Sequence, residues 1–146
     1  MKHKLLYLFP LFLALGSGCV KSTANMTAPP VPSGTFGGQF RYLHRHTNTV
    51  PFDTLKADIV VKLLTTNYTF LVLGDTSSVH AGSYGTFALT SPYMVFTDKT
   101  YSATVPITKS HLNGAYLYYY DGSTFQMLAY SADTLAVQYD LKKTSN

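Results

Sequence analysis

Hydrophobic and polar residues alternate along most of the chain after residue 33. The clearest stretch is 54–63, in which five apolar side chains alternate with residues that are mostly polar. A period of two places these side chains on one face of an extended segment, because successive side chains of a strand point to opposite sides. The stretch therefore predicts a long strand with one buried face. Its apolar positions are Leu55, Ala57, Ile59, Val61 and Leu63.

The same period, interrupted by turn residues, predicts eight strands in all. Asp121-Gly122 between two aromatic runs is a strong hairpin signal. Segments 74–82 and 98–113 are the long connections, and most of the others are short. The predicted strands are 36–42, 54–63, 67–73, 83–89, 93–97, 115–120, 124–130 and 134–141.

Composition supports an all-β domain. The chain contains no Trp and no Glu, whereas it has 12 Tyr and 9 Phe. Aromatic residues favour strands, and surface helices are usually rich in Glu, Lys, Ala and Leu. Eight strands in sequence order predict an antiparallel meander that closes into a barrel, because closure removes exposed sheet edges. The alternative is an immunoglobulin-like β-sandwich, which also contains seven to nine short strands.

Residues 1–18 have the pattern of a secretory signal peptide. A short basic start is followed by the apolar run 5–15 and then by the small residues 16–18. A run of this length would span roughly 16 Å as a helix, about half of a ~30 Å hydrocarbon core. We therefore expect cleavage after the small residues and not retention as a membrane-spanning anchor.

Cys19 is the only cysteine of the chain, so it cannot form an internal disulfide. Its position after 16–18 resembles the lipobox of bacterial lipoproteins, although Gly16 stands where that family prefers leucine. The resemblance implies that Cys19 is lipidated, becomes the new N-terminus and anchors the protein in a membrane. Residues 20–22 lack the aspartate that often retains such lipoproteins at an inner membrane. They also lack the acidic run that directs some of them to the cell surface. We therefore expect the protein to be anchored in the outer membrane of the cell envelope. The sequence does not distinguish the periplasmic face of that membrane from the surface face.

The segment 19–33 contains three prolines and small polar residues and no apolar period, which predicts a flexible tether. The remaining 34–146 is long enough for one domain. The formal charge of +4 includes Lys2 and Lys4, which would leave with the signal segment. Because no clustered basic stripe is present, we do not expect a nucleic-acid partner.

Several strands start with a Gly-x-Tyr or Gly-x-Phe pattern, as in Gly82-Ser-Tyr84 and Gly114-Ala-Tyr116. With this strand order, the chain is similar to small lipocalin-like or avidin-like lipoproteins of Bacteroidota-type bacteria, many of them uncharacterised. The resemblance implies a barrel over 34–143. The Gly-x-Trp signature of true lipocalins is absent, since the chain has no Trp.

Two groups of residues are candidates for binding. His44 and His46 are two apart near a strand end, so their imidazoles share a face and can hold a metal if a third ligand arrives from His80, His111 or Asp53. The alternative is a polar strand end in water. Separately, Tyr116, Tyr118 and Tyr120 share one face of a strand and are candidates for lining a ligand pocket, with core packing as the alternative.

No pattern of catalytic residues is recognisable. The chain has no Gly-x-Ser-x-Gly elbow, no phosphate-binding loop and no cysteine-based metal motif. We therefore expect no enzymatic activity and no cofactor. The favoured interpretation is an envelope lipoprotein that binds a small apolar or amphipathic ligand or a protein partner. The alternatives are a structural or interaction module with a solid core and, less favoured, a metal-binding periplasmic protein.

Overall fold

The computed structural model describes residues 30–46, 49–102, 104, 108–131 and 135–145, and the regular structure within these ranges is entirely β. Within them, no helix has the length and apolar content needed to cross a membrane. The predicted signal segment 1–18, Cys19 and most of the tether lie outside the described residues. The eight strands are β1 (Gly34–His44), β2 (Asp53–Leu64), β3 (Thr69–Gly74), β4 (Ser83–Thr90), β5 (Tyr93–Asp98), β6 (Gly114–Tyr120), β7 (Thr124–Ser131) and β8 (Leu135–Ser145).

The strands form a closed antiparallel barrel in sequence order. Each strand pairs with the next, and β8 pairs with β1 to complete the circle, for example at Phe40 and Tyr139. This is the lipocalin-like, up-and-down architecture that the sequence predicts. The immunoglobulin-like alternative is wrong, because a sandwich of two sheets would leave four strand edges unpaired.

The inside of the barrel is filled by alternate side chains of the strands. On β2, the side chains of Ala57, Ile59, Val61 and Leu63 are buried, as their period predicts, but Leu55 is 55% exposed. Leu55 lies near the start of β2, where the side chain borders a surface cleft and not the packed interior. The core consists of Phe36, Phe40, Ala57, Ile59, Val61, Leu63, Phe70, Val72, Phe87, Met94, Phe96, Leu112, Tyr116, Tyr120, Phe125, Met127, Tyr139 and Leu141.

Two glycines allow neighbouring strands to approach closely. A Cβ atom on Gly38 would lie 2.2 Å from the carbonyl oxygen of Asp140 on β8, and one on Gly85 would lie 1.9 Å from that of Thr97 on β5. Neither position tolerates a side chain without movement of the adjacent backbone. Glycine inside a strand often marks such an approach or a bend of the sheet.

Most strand boundaries differ from the prediction by one or two residues, and the start of β3 and the end of β8 are the informative cases. β3 begins at Thr69 and not at residue 67, because Tyr68 has a φ of 51° and belongs to the turn after β2. β8 continues to Ser145, so that Lys142 and Lys143 lie within the strand and pair with Gly37 and Phe36. The alternating apolar signal ends at Leu141, but the backbone pairing continues beyond it.

The barrel has two different ends. We call the end that carries the connections after β1, β3, β5 and β7 the mouth end. The opposite end carries the short turns after β2, β4 and β6, and we call it the tether end because the chain arrives there. Ser33 marks this arrival, since its Oγ lies 3.2 Å from Oγ1 of Thr65 in the turn after β2.

Candidate functional site

The two long connections at the mouth end are joined to each other. His80 and Ser110 form an isolated parallel bridge. The amide of Ala81 donates to the carbonyl oxygen of Ser110 at 2.8 Å, and the amide of Ser110 donates to that of Val79 at 2.9 Å. The ammonium of Lys109 donates to the carbonyl oxygen of Thr76 at 3.1 Å. These bonds give a non-repetitive part of the chain a defined shape over the barrel.

A buried carboxylate orients a histidine at this end. Asp98 ends β5 with its side chain fully buried, and His111 donates from Nδ1 to its Oδ2 at 2.8 Å. The other oxygen accepts hydrogen bonds from the amide and the hydroxyl of Thr100 at 2.7 and 2.6 Å. A buried carboxylate needs hydrogen-bond donors in place of water, and both oxygens of Asp98 have them. Nε2 is thereby left as the remaining hydrogen-bonding atom of the His111 ring.

A second histidine, His80, is buried at the mouth end of the core. His80 is fully buried, with Nδ1 2.6 Å from the carbonyl oxygen of Ala81 and Nε2 2.8 Å from the hydroxyl of Tyr139. A carbonyl oxygen only accepts, so Nδ1 carries the hydrogen and Nε2 accepts a hydrogen bond from the tyrosine hydroxyl. Burial lowers the pKa of His80 from 6.5 to about 4, and it raises the pKa of the Tyr139 hydroxyl well above its ordinary value. Both groups are therefore neutral near pH 7.

Beside His111 lies an open cleft of about 500 Å³. Its walls combine apolar and aromatic side chains with the positive charge of Lys109. Among the described residues, no carboxylate lies within ion-pair distance of this ammonium. A cavity of this size and mixed character is within the range of small-molecule sites. The lining residues are Tyr42, Leu55, Ser78, Val79, Tyr101, Thr108, Lys109, Ser110, His111 and Asn113.

The three tyrosines proposed from the sequence lie on the inner face of β6 and do not line this cleft. Tyr116 and Tyr120 are buried, and Tyr118 is half-buried against the core. The ring of Tyr116 contacts Tyr139 at a centroid distance of 5.6 Å, and that of Tyr120 contacts Phe125 at 6.1 Å. In this arrangement they fill the barrel. A role in ligand binding stays a prediction.

His44 and His46 do lie together, with ring centroids 5.1 Å apart. Asp53 faces His44 across the pair of β1 and β2. In the part of the chain that the structure describes, however, no group of three or more His, Cys, Asp or Glu side chains is placed to hold a metal ion. Of the other proposed ligands, His80 is bonded to Tyr139 and His111 to Asp98. The metal hypothesis therefore lacks its third ligand within the described residues.

Sequence reasoning missed the cleft itself. Lys109 and Tyr101 lie in a connection without hydrophobic period, so no pattern marked them, and Tyr42 continues an inward-facing row of β1. The one available signal was the length of the segments 74–82 and 98–113, since long loops in compact domains often carry function.

Comparisons of this chain with protein-family models, with curated proteins and with solved structures gave no significant match.

Proposed function

We propose that this protein is a lipid-anchored envelope protein that binds a small amphipathic anion in the cleft at the mouth end of its barrel. The cleft beside Lys109 is the observation that carries the proposal. Cys19 would hold the protein at the membrane through its acyl chains, in keeping with its position after the small residues 16–18.

The lining of the cleft supports this class of ligand. Tyr42, Leu55 and Val79 offer apolar surface to the body of a guest, and Tyr101 adds an aromatic ring. Lys109 offers a positive charge that is bonded to a backbone carbonyl. His111 is held in place by Asp98 and adds a second polar group. A ligand with an apolar ring or chain and one acidic group would satisfy both kinds of surface.

A solid-core interaction module is the second candidate, because the barrel interior is packed with aromatic side chains and not hollow. The outer wall also offers a shallow groove of about 430 Å³ across β6, β7, β8 and β1. Exposed Leu117 and Tyr119 border this groove, and the ion pair of Arg41 with Asp140 lies at its side at 2.6 Å. These features suit a protein partner better than a small ligand.

The cleft is tested with anilinonaphthalene sulfonate, a fluorescent aromatic anion, titrated into the chain from residue 20 onward. Lys109→Gln and Tyr101→Ala should each weaken its binding by roughly three- to tenfold, since each removes on the order of 1 kcal/mol of interaction. Lys62→Gln and Tyr84→Ala change the same residue types on the outer wall and should leave binding unchanged. Equal effects of the cleft and wall variants would favour the interaction module instead.

Anchorage is tested separately by cell fractionation. The parent chain should sediment with membranes, and Cys19→Ala should move to the soluble fraction, because the cysteine is the attachment point of the proposed acyl chains. Mass spectrometry of the mature N-terminus should find fatty acid on Cys19. Unchanged fractionation of the variant would contradict anchorage through this residue.

A further inference from the structure

We propose that the tether end of the barrel is itself a membrane-contacting surface, which rests on an anionic lipid bilayer. The inference extends the proposed anchorage at Cys19, but it concerns different residues and is tested without any acyl chain. Three observations carry it: where the chain arrives, which side chains the turns present, and how charge is divided between the two ends.

The chain arrives at the tether end, next to the turn after β2, as the contact of Ser33 with Thr65 shows. Only the segment 20–33 separates Cys19 from β1. The tether that this composition predicts would have an average end-to-end distance of roughly 20 Å as a coil and a reach of up to ~45 Å if mostly extended. A barrel anchored in this way keeps its tether end close to the lipid surface, and the mouth end faces away from it.

Each turn at the tether end contains or adjoins an exposed apolar or aromatic side chain. Tyr68 follows β2, Tyr93 opens β5 and Tyr119 precedes the turn after β6. Val31 lies where the chain arrives, and Leu64 ends β2. All five expose between 44% and 55% of their surface. Tyrosine is enriched at membrane interfaces, because its ring is apolar and its hydroxyl bonds to water and headgroups.

Lysines surround the start of β1 at this end. Thr35 pairs with Lys62 on one side, and Phe36 and Gly37 pair with Lys143 and Lys142 on the other. Lys62 and Lys142 are exposed and Lys143 is half-buried. Three ammonium groups therefore lie around the point at which the tether joins the barrel. Among the described residues of the three turns at this end, the only carboxylate is that of Asp121.

The mouth end mixes both signs of charge. Counted to the same depth in the strands, its described residues include five cationic side chains, three carboxylates and a fourth carboxylate, Asp140, that pairs with one of the cations. The cationic residues are Arg41, Arg45, Lys56, Lys99 and Lys109, and the acidic ones are Asp53, Asp75 and Asp98. Apolar side chains are exposed at both ends, so the arrangement of charge is what distinguishes them. A juxtamembrane cluster of lysines is attracted to anionic headgroups over about a Debye length, about 8–10 Å at moderate salt. The tether end, where three lysines are accompanied by one carboxylate among the described residues, fits that chemistry better than the mixed charges of the mouth end.

The test is co-sedimentation of the unacylated chain from residue 20 onward with phospholipid vesicles. This chain retains every strand pairing and every core residue, since all of them lie between Gly34 and Ser145. Vesicles that contain phosphatidylglycerol should bind it at least tenfold more strongly than vesicles of phosphatidylcholine alone. Molar salt should abolish the difference, because it shortens the Debye length to about 3 Å.

Matched variants locate the contact. Lys142→Gln with Lys143→Gln should lower binding to the anionic vesicles by on the order of 20-fold, at about fivefold for each lysine. Lys56→Gln with Lys99→Gln makes the same change of net charge near the mouth end, at exposed residues outside the cleft, and should leave binding nearly unchanged. Circular dichroism melts should show that both double variants are folded.

Two results would overturn the inference: equal losses in the two double variants, or no preference of the parent chain for phosphatidylglycerol. Neither would bear on Cys19, because the protein in this assay carries no lipid. Conversely, binding that depends on Lys142 and Lys143 would support the inference even if the fractionation test of Cys19 failed.

Discussion

Acidification should destabilise the barrel through one buried histidine, His80. Its ring is neutral in the folded protein, with Nδ1 donating to the carbonyl oxygen of Ala81 and Nε2 accepting from Tyr139. Protonation would place a second N–H opposite the tyrosine hydroxyl and a positive charge among aromatic rings, including Phe40 at a centroid distance of 4.7 Å. Burial is the main cause of the lowered pKa, and the nearby His111 adds to it. The Ala81 carbonyl and Asp98 act in the opposite direction.

The direction and size of the effect follow from linkage. An unfolded chain protonates this histidine near pH 6.5, whereas the folded protein does so only near pH 4. Between these values the unfolded state binds more protons, so the stabilisation is present above pH 6.5 and is lost as the pH falls to 4. At 1.36 kcal/mol per pKa unit, the loss is about 3 kcal/mol. This is a large fraction of the stability of a small domain, typically about 5–15 kcal/mol.

Urea unfolding at a series of pH values between about 7 and 4 measures this loss. The matched variant is His80→Gln, because an amide can donate to Ala81 and accept from Tyr139 but does not titrate. Aspartates contribute equally to both proteins, so the difference in their free energies of unfolding isolates the histidine. Between pH 7 and pH 4, the free energy of unfolding of the parent should fall by about 3 kcal/mol more than that of the variant. A difference that stays constant with pH, or a His80 resonance that titrates near 6.5, would refute the reasoning.

Three further predictions concern the barrel wall and core. Gly38→Ala should cost about 1–3 kcal/mol in urea unfolding, because its Cβ would collide with the backbone at Asp140, whereas Gly37→Ala should be nearly neutral, with only a side-chain methyl 3.4 Å away. Ser83→Ala should leave stability unchanged or raise the melting temperature, since the buried Ser83 hydroxyl has no partner among the described residues; a loss above about 1 kcal/mol would show that it has one. Val61→Asp should cost at least about 3 kcal/mol or prevent folding, as it buries an unpaired charge; a melt like that of the parent would disprove the assigned inner face.

The strands and most of their inner faces were predictable, because a half-buried strand repeats every two residues whatever its neighbours are. Ile59 and Val61 illustrate this on β2, where the outward positions are polar enough to separate the two faces. The face of β6 was not predictable, because both of its faces are apolar. The structure turns Tyr116 inward, opposite the fully buried Met94 of β5, and leaves Leu117 and Tyr119 outside. Packing against the neighbouring strands determines which face of β6 is buried, and the sequence of β6 alone does not indicate it.

The candidate site could not be predicted for a different reason. Asp98 ends β5 and His111 lies in the connection that follows it, whereas His80 lies in the connection after β3. Neither connection has a hydrophobic period, and only the folded barrel brings the two connections together. His111 and His80 did appear among the candidate residues, but as metal ligands. His80 finds its partner Tyr139 on β8, 59 residues further along the chain, and no local pattern predicts a contact of that separation.

A packed interior restricts where this barrel can act. Lipocalin-like barrels that carry a ligand inside need an open centre, whereas here Phe36, Phe40 and Tyr139 are fully buried in contact with other rings. Only the outer wall and the ends remain for recognition. The tether joins the barrel at the start of β1, and the connection after β1 lies at the opposite end. Because successive strands alternate in direction, the connections after β3 and β5, which form the cleft, lie at that opposite end as well. Any molecule that enters the cleft beside Lys109 therefore approaches from the side opposite to the point where the tether joins the barrel.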